Sequence, residues 1–261
     1  MTSVATLLPP MKVTLAGGSV GGAWSVAGNA IGETLRREYP NTSFTYEPGR
    51  EQSNILLVSQ GRVQLGIAHA QLAGRALAGG EPFKQPVTNI RAIAVIDPLA
   101  AMQVCARQGS DFQSFEQVRR DKKPIRVALN QRGTMMALAG EELLAAKGIP
   151  AKDIEAWGGK VHYVAYNEGL EMMKNKQVDL IVNLLAFPSG QVASATREMP
   201  VQMVGLTPEV QGALQKSLGM MPIEVPAKTY DFQPAAVPSA TATVVLVANA
   251  SMSDEDAGKI V

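Results

Sequence analysis

One cysteine, Cys105, leaves no partner for an internal disulfide, so cysteine usage says nothing about the redox compartment. Its setting, Met102-Gln103-Val104-Cys105-Ala106, reads as the interior of a strand. A thiol without basic neighbours or exposure is expected to be inert. An excess of either charge is missing as well: 24 basic residues against 23 acidic ones give a formal net charge of +1. Such a balance excludes a field able to hold nucleic acid or an acidic membrane surface, so a charged ligand must be recognised locally. No run approaches the roughly 20 apolar residues needed to cross a bilayer. With two histidines and no CxxC, Walker loop or paired-carboxylate motif, neither a metal cluster nor a Ser-His-Asp set can be assembled, and no cofactor is expected. The first ten residues, MTSVATLLPP, lack the basic and apolar parts of an intact signal peptide. Either the protein is cytosolic or the sequence begins after a removed leader.

What is present is the composition of a folded protein, 46% hydrophobic and 18% charged, in a chain long enough for one large domain or two moderate lobes. Strand patterns at 11–16, 43–47 and 63–68 alternate with helix patterns from about Ser25 to Tyr39, 52–60 and 72–78. That alternation favours an α/β layer with parallel strands. Two apolar segments, 90–96 and 100–107, stand either side of Asp97-Pro98 and are expected to be long strands leaving the first lobe. A second alternating unit follows: helix 115–120, strand 125–129, helix 135–147, strand 161–165, helix 168–174 and strand 178–183. Phe187-Pro188-Ser189-Gly190 opens a further helix, and Trp157-Gly158-Gly159 reads as a plain loop. Residues 222–240, rich in proline and alanine, are expected to be a loop with extended segments, before a strand at 241–248 and a helix start at Ser251 or Ser253. A helix that stops two turns in, at Val261, suggests a natural chain that continues.

Two turns can carry chemistry. Gly17-Gly18-Ser19-Val20-Gly21-Gly22 leaves a strand and enters a helix, where glycines let backbone amides approach a ligand beside the positive end of the helix dipole. A small carboxylate is the natural guest; a tight turn without a ligand is the plain alternative. The spacing is not G-x-G-x-x-G, and Glu47 is the only acidic residue placed to meet a ribose, which argues against a dinucleotide site. Asn130-Gln131-Arg132-Gly133-Thr134 has the same placement in the second unit. Arg132 there is either a bidentate carboxylate contact or a solvated arginine, and Thr134 caps the helix. His69 ends a strand, at the side of an α/β sheet where ligands bind, and is either a ligand contact or a satisfied loop histidine. His162, within a strand, reads as structural.

The run GGSVGGAW, the segment from Glu51 to Asn54, and GRVQLGIAHAQLAGRA together resemble the TAXI-type solute receptors of tripartite ATP-independent periplasmic (TRAP) transporters. So do NIRAIAVID, the Arg132-Gly133-Thr134 turn, LLAFPSGQV and PAAVPSATATVVLVANASMSDE, and the likeness spans nearly all of 11–261. It implies an α/β, two-lobed periplasmic binding protein-like (type II) fold with hinge strands. Lobe 1 would comprise 11–98 plus about 225–261, and lobe 2 about 99–224. The ligand implied is a small organic acid or amino acid of the glutamate and dicarboxylate class, delivered in the periplasm to the membrane permease subunits of a TRAP transporter. Members of that family usually extend beyond the point where this sequence stops. Carried over position by position, the family's site falls on Gly18, Ser19, Gly22, Trp24, Glu51, Asn54, His69, Arg132, Thr134, Phe187 and Pro188, with Trp24 and Phe187 as apolar walls. Five positions depart from the pattern: Ala23 for a hydroxyl residue, Ser25 for an aromatic, Leu65 for an aspartate, His69 for an amide and Arg132 for a small residue.

Three classes of function compete. A binding protein needs only amides, hydroxyls and a few charges around a small ligand. An enzyme on the same scaffold would need an acid or base within reach of the reacting atom, and only His69 and Glu51 offer one. A sensory module would use the same ligand site. The expectation is a binding protein and not an enzyme.

Overall fold

The computed structural model describes residues 11–261, and the reading of MTSVATLLPP therefore lies outside the described residues. The chain divides into two compact units. Of the described residues, the first holds 11–68 with Ala76–Ala94 and Val245–Val261; the second is His69–Arg75 with Val95–Val244.

The first unit is built from β1 (Lys12–Gly17), α1 (Ala23–Glu38), β2 (Ser43–Pro48), α2 (Glu51–Ser59) and β3 (Leu65–His69) up to Ala68, with the last turn of α3 (Ala70–Ala78). Strands β2 and β3 both pair parallel with β1, with Val13 opposite Phe44 and Leu15 opposite both Tyr46 and Leu65. Leu15, Ile55, Val58, Leu65 and Ile67 close the core. The seat of α1 is set by what its inner face lacks. Gly28 and Gly32, one turn apart, meet the rings of Tyr46 and Phe44, and a methyl group at either would overlap them. The helix stops at Tyr39, ahead of Pro40, because proline disfavours helical geometry in the residue before it.

The second unit contains the later part of β4 (Ile90–Arg107), then α4 (Phe115–Asp121), β5 (Arg126–Leu129), α5 (Met135–Ala146), α6 (Ala151–Ala156), β6 (Lys160–Tyr163), α7 (Tyr166–Lys174) and β7 (Leu180–Leu185). It continues through α8 (Gly190–Ala195), β8 (Val201–Met203), α9 (Pro208–Leu218), β9 (Met221–Val225) and most of β10 (Val237–Asn249). The chain ends in α10 (Asp254–Ile260), within the first unit. Strands β6 and β7 flank β5 in parallel, so the order β6-β5-β7 repeats the form of β2-β1-β3. Strand β4 pairs antiparallel with β7 and β8, and β9 with β10.

A single strand, β4, covers the two segments expected to be separate. Its 18 residues run through Asp97-Pro98. Proline removes a donor but keeps an extended backbone. Asp97 Oδ1 takes the Leu99 N–H at 2.9 Å, and the Pro98 carbonyl accepts from Thr243 Oγ1 at 3.3 Å. Strand β10 likewise reaches further than 241–248 and picks up β9. Helices α6 and α9 and strand β8 lie where the sequence reading assigns nothing.

At the amino ends of β5 and β7 one buried carboxylate organises the second unit. Asp179, 2% exposed at its side chain, accepts from Arg126 at 2.8 Å and from Arg107 at 3.0 Å, and its other oxygen takes the Arg126 backbone N–H at 3.0 Å. Burial alone would push its pKa up. The hydrogen bonds and charge of Arg126, then Arg107, outweigh that and hold the carboxyl below its ordinary value. Cys105 lies in the same unit, packed among Met173, Met199 and Ile181, and burial pushes its thiol up to about 12. No helix among the described residues is long and apolar enough to cross a membrane.

Candidate functional site

The carboxyl ends of the parallel strands carry the sequence-derived residues in each unit. In the first, Gly17 and Gly18 leave β1 and the chain turns through Gly21, whose φ of 76° suits glycine, into α1. Two side chains fix this turn from the sheet side. Asn54 Nδ2 donates to the Gly17 carbonyl at 3.1 Å and to the Ile67 carbonyl at 3.0 Å, tying the ends of β1 and β3. Tyr46 Oη donates to the Gly18 carbonyl at 2.8 Å. Because a trans peptide sets its N–H opposite its carbonyl, the amides of Gly18 and Ser19 point away from Asn54 and Tyr46. Gly22 is the N-cap of α1, its N–H donates to the Ser19 carbonyl at 3.1 Å, and no acidic residue sits in the first turn. The first turn of this 16-residue helix therefore brings no carboxylate of its own to the positive end of the dipole. Trp24 packs over Gly18, where an added Cβ would lie 3.3 Å from its own.

Other expected contacts are deeply buried. Glu51 opens α2 at 0% exposure and Asn54 is equally sealed; His69, the last residue of β3, is 1% exposed.

In the second unit, Asn130 to Thr134 leads from β5 into α5. Thr134 is the N-cap and accepts the Ala137 N–H at 3.1 Å, while Gly133 takes φ 82°. Arg132 turns onto Tyr163: its guanidinium carbon stands 3.6 Å from the ring centroid, and Nη1 meets Glu141 at 3.2 Å. Tyr163 donates to the same carboxylate at 2.6 Å. Burial, then that bond to Glu141, raises the Tyr163 pKa and keeps the phenol protonated. Phe187 and Pro188 follow β7, half-buried and exposed, joined by a cis peptide bond. Ser189 caps α8 and donates its N–H to Tyr230 Oη at 2.8 Å. His162 sits within β6, where burial, then Lys160 and Arg126, lower its pKa.

The structure adds residues that motif reading passes over. Tyr46 fixes Gly18, and its burial raises the phenol to about 12. Asn130 Nδ2 donates to Asn183 Oδ1 at 3.2 Å. Gln103 Oε1 accepts from Tyr230 at 2.7 Å, and its Nε2 donates to the Ala186 carbonyl at 3.1 Å. Asn130 opens a turn already marked in the sequence, and Tyr46 had a signal of its own: it lies two residues from Phe44, on the strand face that the spaced glycines of α1 must cover. A surface groove of 460 Å³ between α7 and α8, bridged by Lys174–Glu198 and Gln191–Asn167, lies apart from these turns. Among the described residues, no group of three or more His, Cys, Asp or Glu is arranged to hold a metal ion.

A family model described as the NMT1-like family matches residues 15–261. The chain belongs to the NMT1-like family. No curated protein matches this NMT1-like chain in sequence. Its fold is shared with solved structures at low identity. The alkanesulfonate-binding protein SsuA from Xanthomonas axonopodis pv. citri, bound to MOPS, is 13% identical with a TM-score of 0.53, covering 93% of this chain and 66% of that one. The periplasmic binding protein BugD is 16% identical with a TM-score of 0.60, covering 97% and 81%. A binding protein component of an ABC phosphonate transporter from Pseudomonas aeruginosa is 12% identical with a TM-score of 0.54, covering 97% and 73%. The chain therefore spans just under two thirds of the first of these proteins. The fold of this NMT1-like protein is α/β and periplasmic binding protein-like. That fold is the part of the TAXI resemblance the neighbours share.

Proposed function

We propose that this NMT1-like protein is a periplasmic solute-binding protein that captures a small organic oxyanion, a carboxylate or amino acid of the glutamate and dicarboxylate class, and delivers it to a membrane permease. The observation that carries the reading is the turn after β1. Its Gly17 and Gly18 carbonyls are held by Asn54 and Tyr46, which aims the next two amides away from the sheet beside a helix start whose first turn holds no acidic residue. Gly18, Ser19, Gly22 and Trp24 are the proposed contacts of the first unit, and Arg132, Phe187 and Pro188 those of the second. Glu51, Asn54, His69 and Thr134, at most 3% exposed, act by positioning. The sulfonate and phosphonate in the names of two structural neighbours support an oxyanion ligand.

The sequence likeness to TAXI-type receptors supports a permease of the TRAP class, and the ABC transporter named for one neighbour favours an ATP-driven one. Uptake into cells expressing the protein with each candidate permease separates the two: loss on ATP depletion selects the ABC reading, persistence the TRAP one. For the function itself, mass spectrometry of the purified protein is expected to find an unaltered organic anion. Steady turnover of that molecule would sink the binding-protein reading. Arg132→Ala is expected to weaken binding of an anion at least about tenfold, or about 1.4 kcal/mol. Calorimetry with unchanged affinity would leave Arg132 as a strap between its turn, Tyr163 and Glu141.

A further inference from the structure

Asn183 lies within β7, opposite Gln103 of β4 in the antiparallel register, and accepts from Asn130 at the end of β5. Three amides thus form a row across three neighbouring strands of the second unit. Two of them have both amino hydrogens engaged within the protein. Gln103 accepts from Tyr230 and donates to the Leu185 and Ala186 carbonyls. Asn130 accepts the Gln131 N–H at 2.7 Å and donates to Asn183 and to the Met136 sulfur.

Asn183 is different. Its Oδ1 takes two donors, the Leu184 backbone N–H at 3.0 Å and Asn130 Nδ2 at 3.2 Å. A backbone N–H can only donate, so the side-chain orientation is fixed by the network and the amino group must face the other way. Among the described residues nothing accepts from Asn183 Nδ2. Yet the residue is 98% removed from solvent, at 2% exposure, and the atom is not sealed as are the unpartnered oxygens of Asn54, Gln117 and Gln233. A buried donor with no acceptor carries a penalty that the fold has no reason to keep unless something outside the protein meets it.

We infer that Asn183 is a specificity-determining residue of the ligand site: its amino group donates to an acceptor oxygen of the ligand, a carboxylate or another oxyanion. This rests on the binding reading above and sharpens it. The polarity of the contact is set by the relay Gln131 N–H to Asn130, Asn130 to Asn183, Asn183 to ligand. A ligand presenting a donor at that point meets the Asn183 amino group, which cannot accept.

The test uses probes of known chemistry on the whole protein. In the ¹⁵N spectrum of wild type, the Asn183 side-chain pair, assigned by its loss in Asn183→Ala, is expected to shift with acetate and far less with acetamide at equal concentration. By calorimetry, Asn183→Ala is expected to lower the affinity for succinate or L-glutamate by roughly 10- to 100-fold, the effect of one hydrogen bond to a charged group. Asn183→Asp, which turns the donor into an acceptor, lowers it at least as far. An Asn183 signal that ignores acetate, or wild-type affinity in Asn183→Ala with only the melting temperature lowered, overturns the inference. If neither succinate nor L-glutamate binds wild type while acetate still moves the Asn183 pair, the ligand class proposed above fails and the donor stands.

Discussion

The turn after β1 and the turn after β5 occupy the same place in two units of the same strand order, and they are built by opposite means. The first is made of backbone. Glycines supply the curvature, and Asn54 and Tyr46 hold its carbonyls so that its amides face outward. The second is made of side chains: Thr134 caps α5, Asn130 closes onto its own Gln131 N–H, and Arg132 lies on Tyr163. A backbone turn offers the same N–H groups whatever residue occupies it, so it can serve any anion of suitable size. A side-chain turn can be retuned by single substitutions, so selectivity is expected to reside there.

The contrast extends to the frames beneath the turns, and the largest effect should come from the second unit. Asp179→Asn leaves Arg107 and Arg126 without their shared carboxylate and should cost about 3 kcal/mol, measured by urea unfolding. The pH dependence has a definite sign. Since the folded-state pKa is lowered, the Asp179 contribution is fully present above the ordinary carboxylate pKa of about 4 and fades as pH falls through the depressed value. The gap between wild type and Asp179→Asn should therefore begin to narrow only below about pH 4 and close as pH falls through the depressed value. A gap that stays constant into acid would show that the carboxylate's charge is not what matters.

In the first unit the corresponding weak point is apolar. Gly28→Ala or Gly32→Ala drives a methyl group into Tyr46 or Phe44 and should cost about 1–3 kcal/mol by overpacking. Neutral behaviour at both sites would mean that α1 can slide on β2, and the glycine stripe would lose its explanation. Thr134→Ala removes one cap and should cost about 1 kcal/mol, with Thr134→Ser nearly silent. Smallest is Tyr46→Phe, about 0.5–1.5 kcal/mol for a single hydrogen bond. If the carbonyl it frees lets the turn relax, anion affinity should fall with it. Stability lost without affinity would assign Tyr46 to packing alone.

Much of this was legible beforehand because parallel α/β units announce themselves: apolar strands of four to six residues, then a glycine or a cap, then a helix. Gly133, Thr134 and Gly148 sit where that grammar puts them. Helix α9 bore the same marks, with Pro208 at its start, Val210, Leu214 and Leu218 one turn apart, and Gly219 at φ 68°. Those marks are sufficient to predict it. The passage of β4 through Asp97-Pro98 was not legible, since it depends on Leu99 and Thr243 finding partners there. The amide row of Asn130, Asn183 and Gln103 was hidden for a similar reason. Each is an ordinary polar residue in its own segment, and only the pairing of three strands sets them side by side.

The lone thiol has a practical corollary. Cys105 is 4% exposed and stays protonated through the physiological range, so it is silent toward alkylating dyes while the fold is intact. The wild-type background is in effect already cysteine-free for labelling. A cysteine placed at Val20, 74% exposed within the glycine turn, would be the one reactive thiol in the native protein. An environment-sensitive dye there would turn the turn itself into a reporter, bright or dim according to what lies against it.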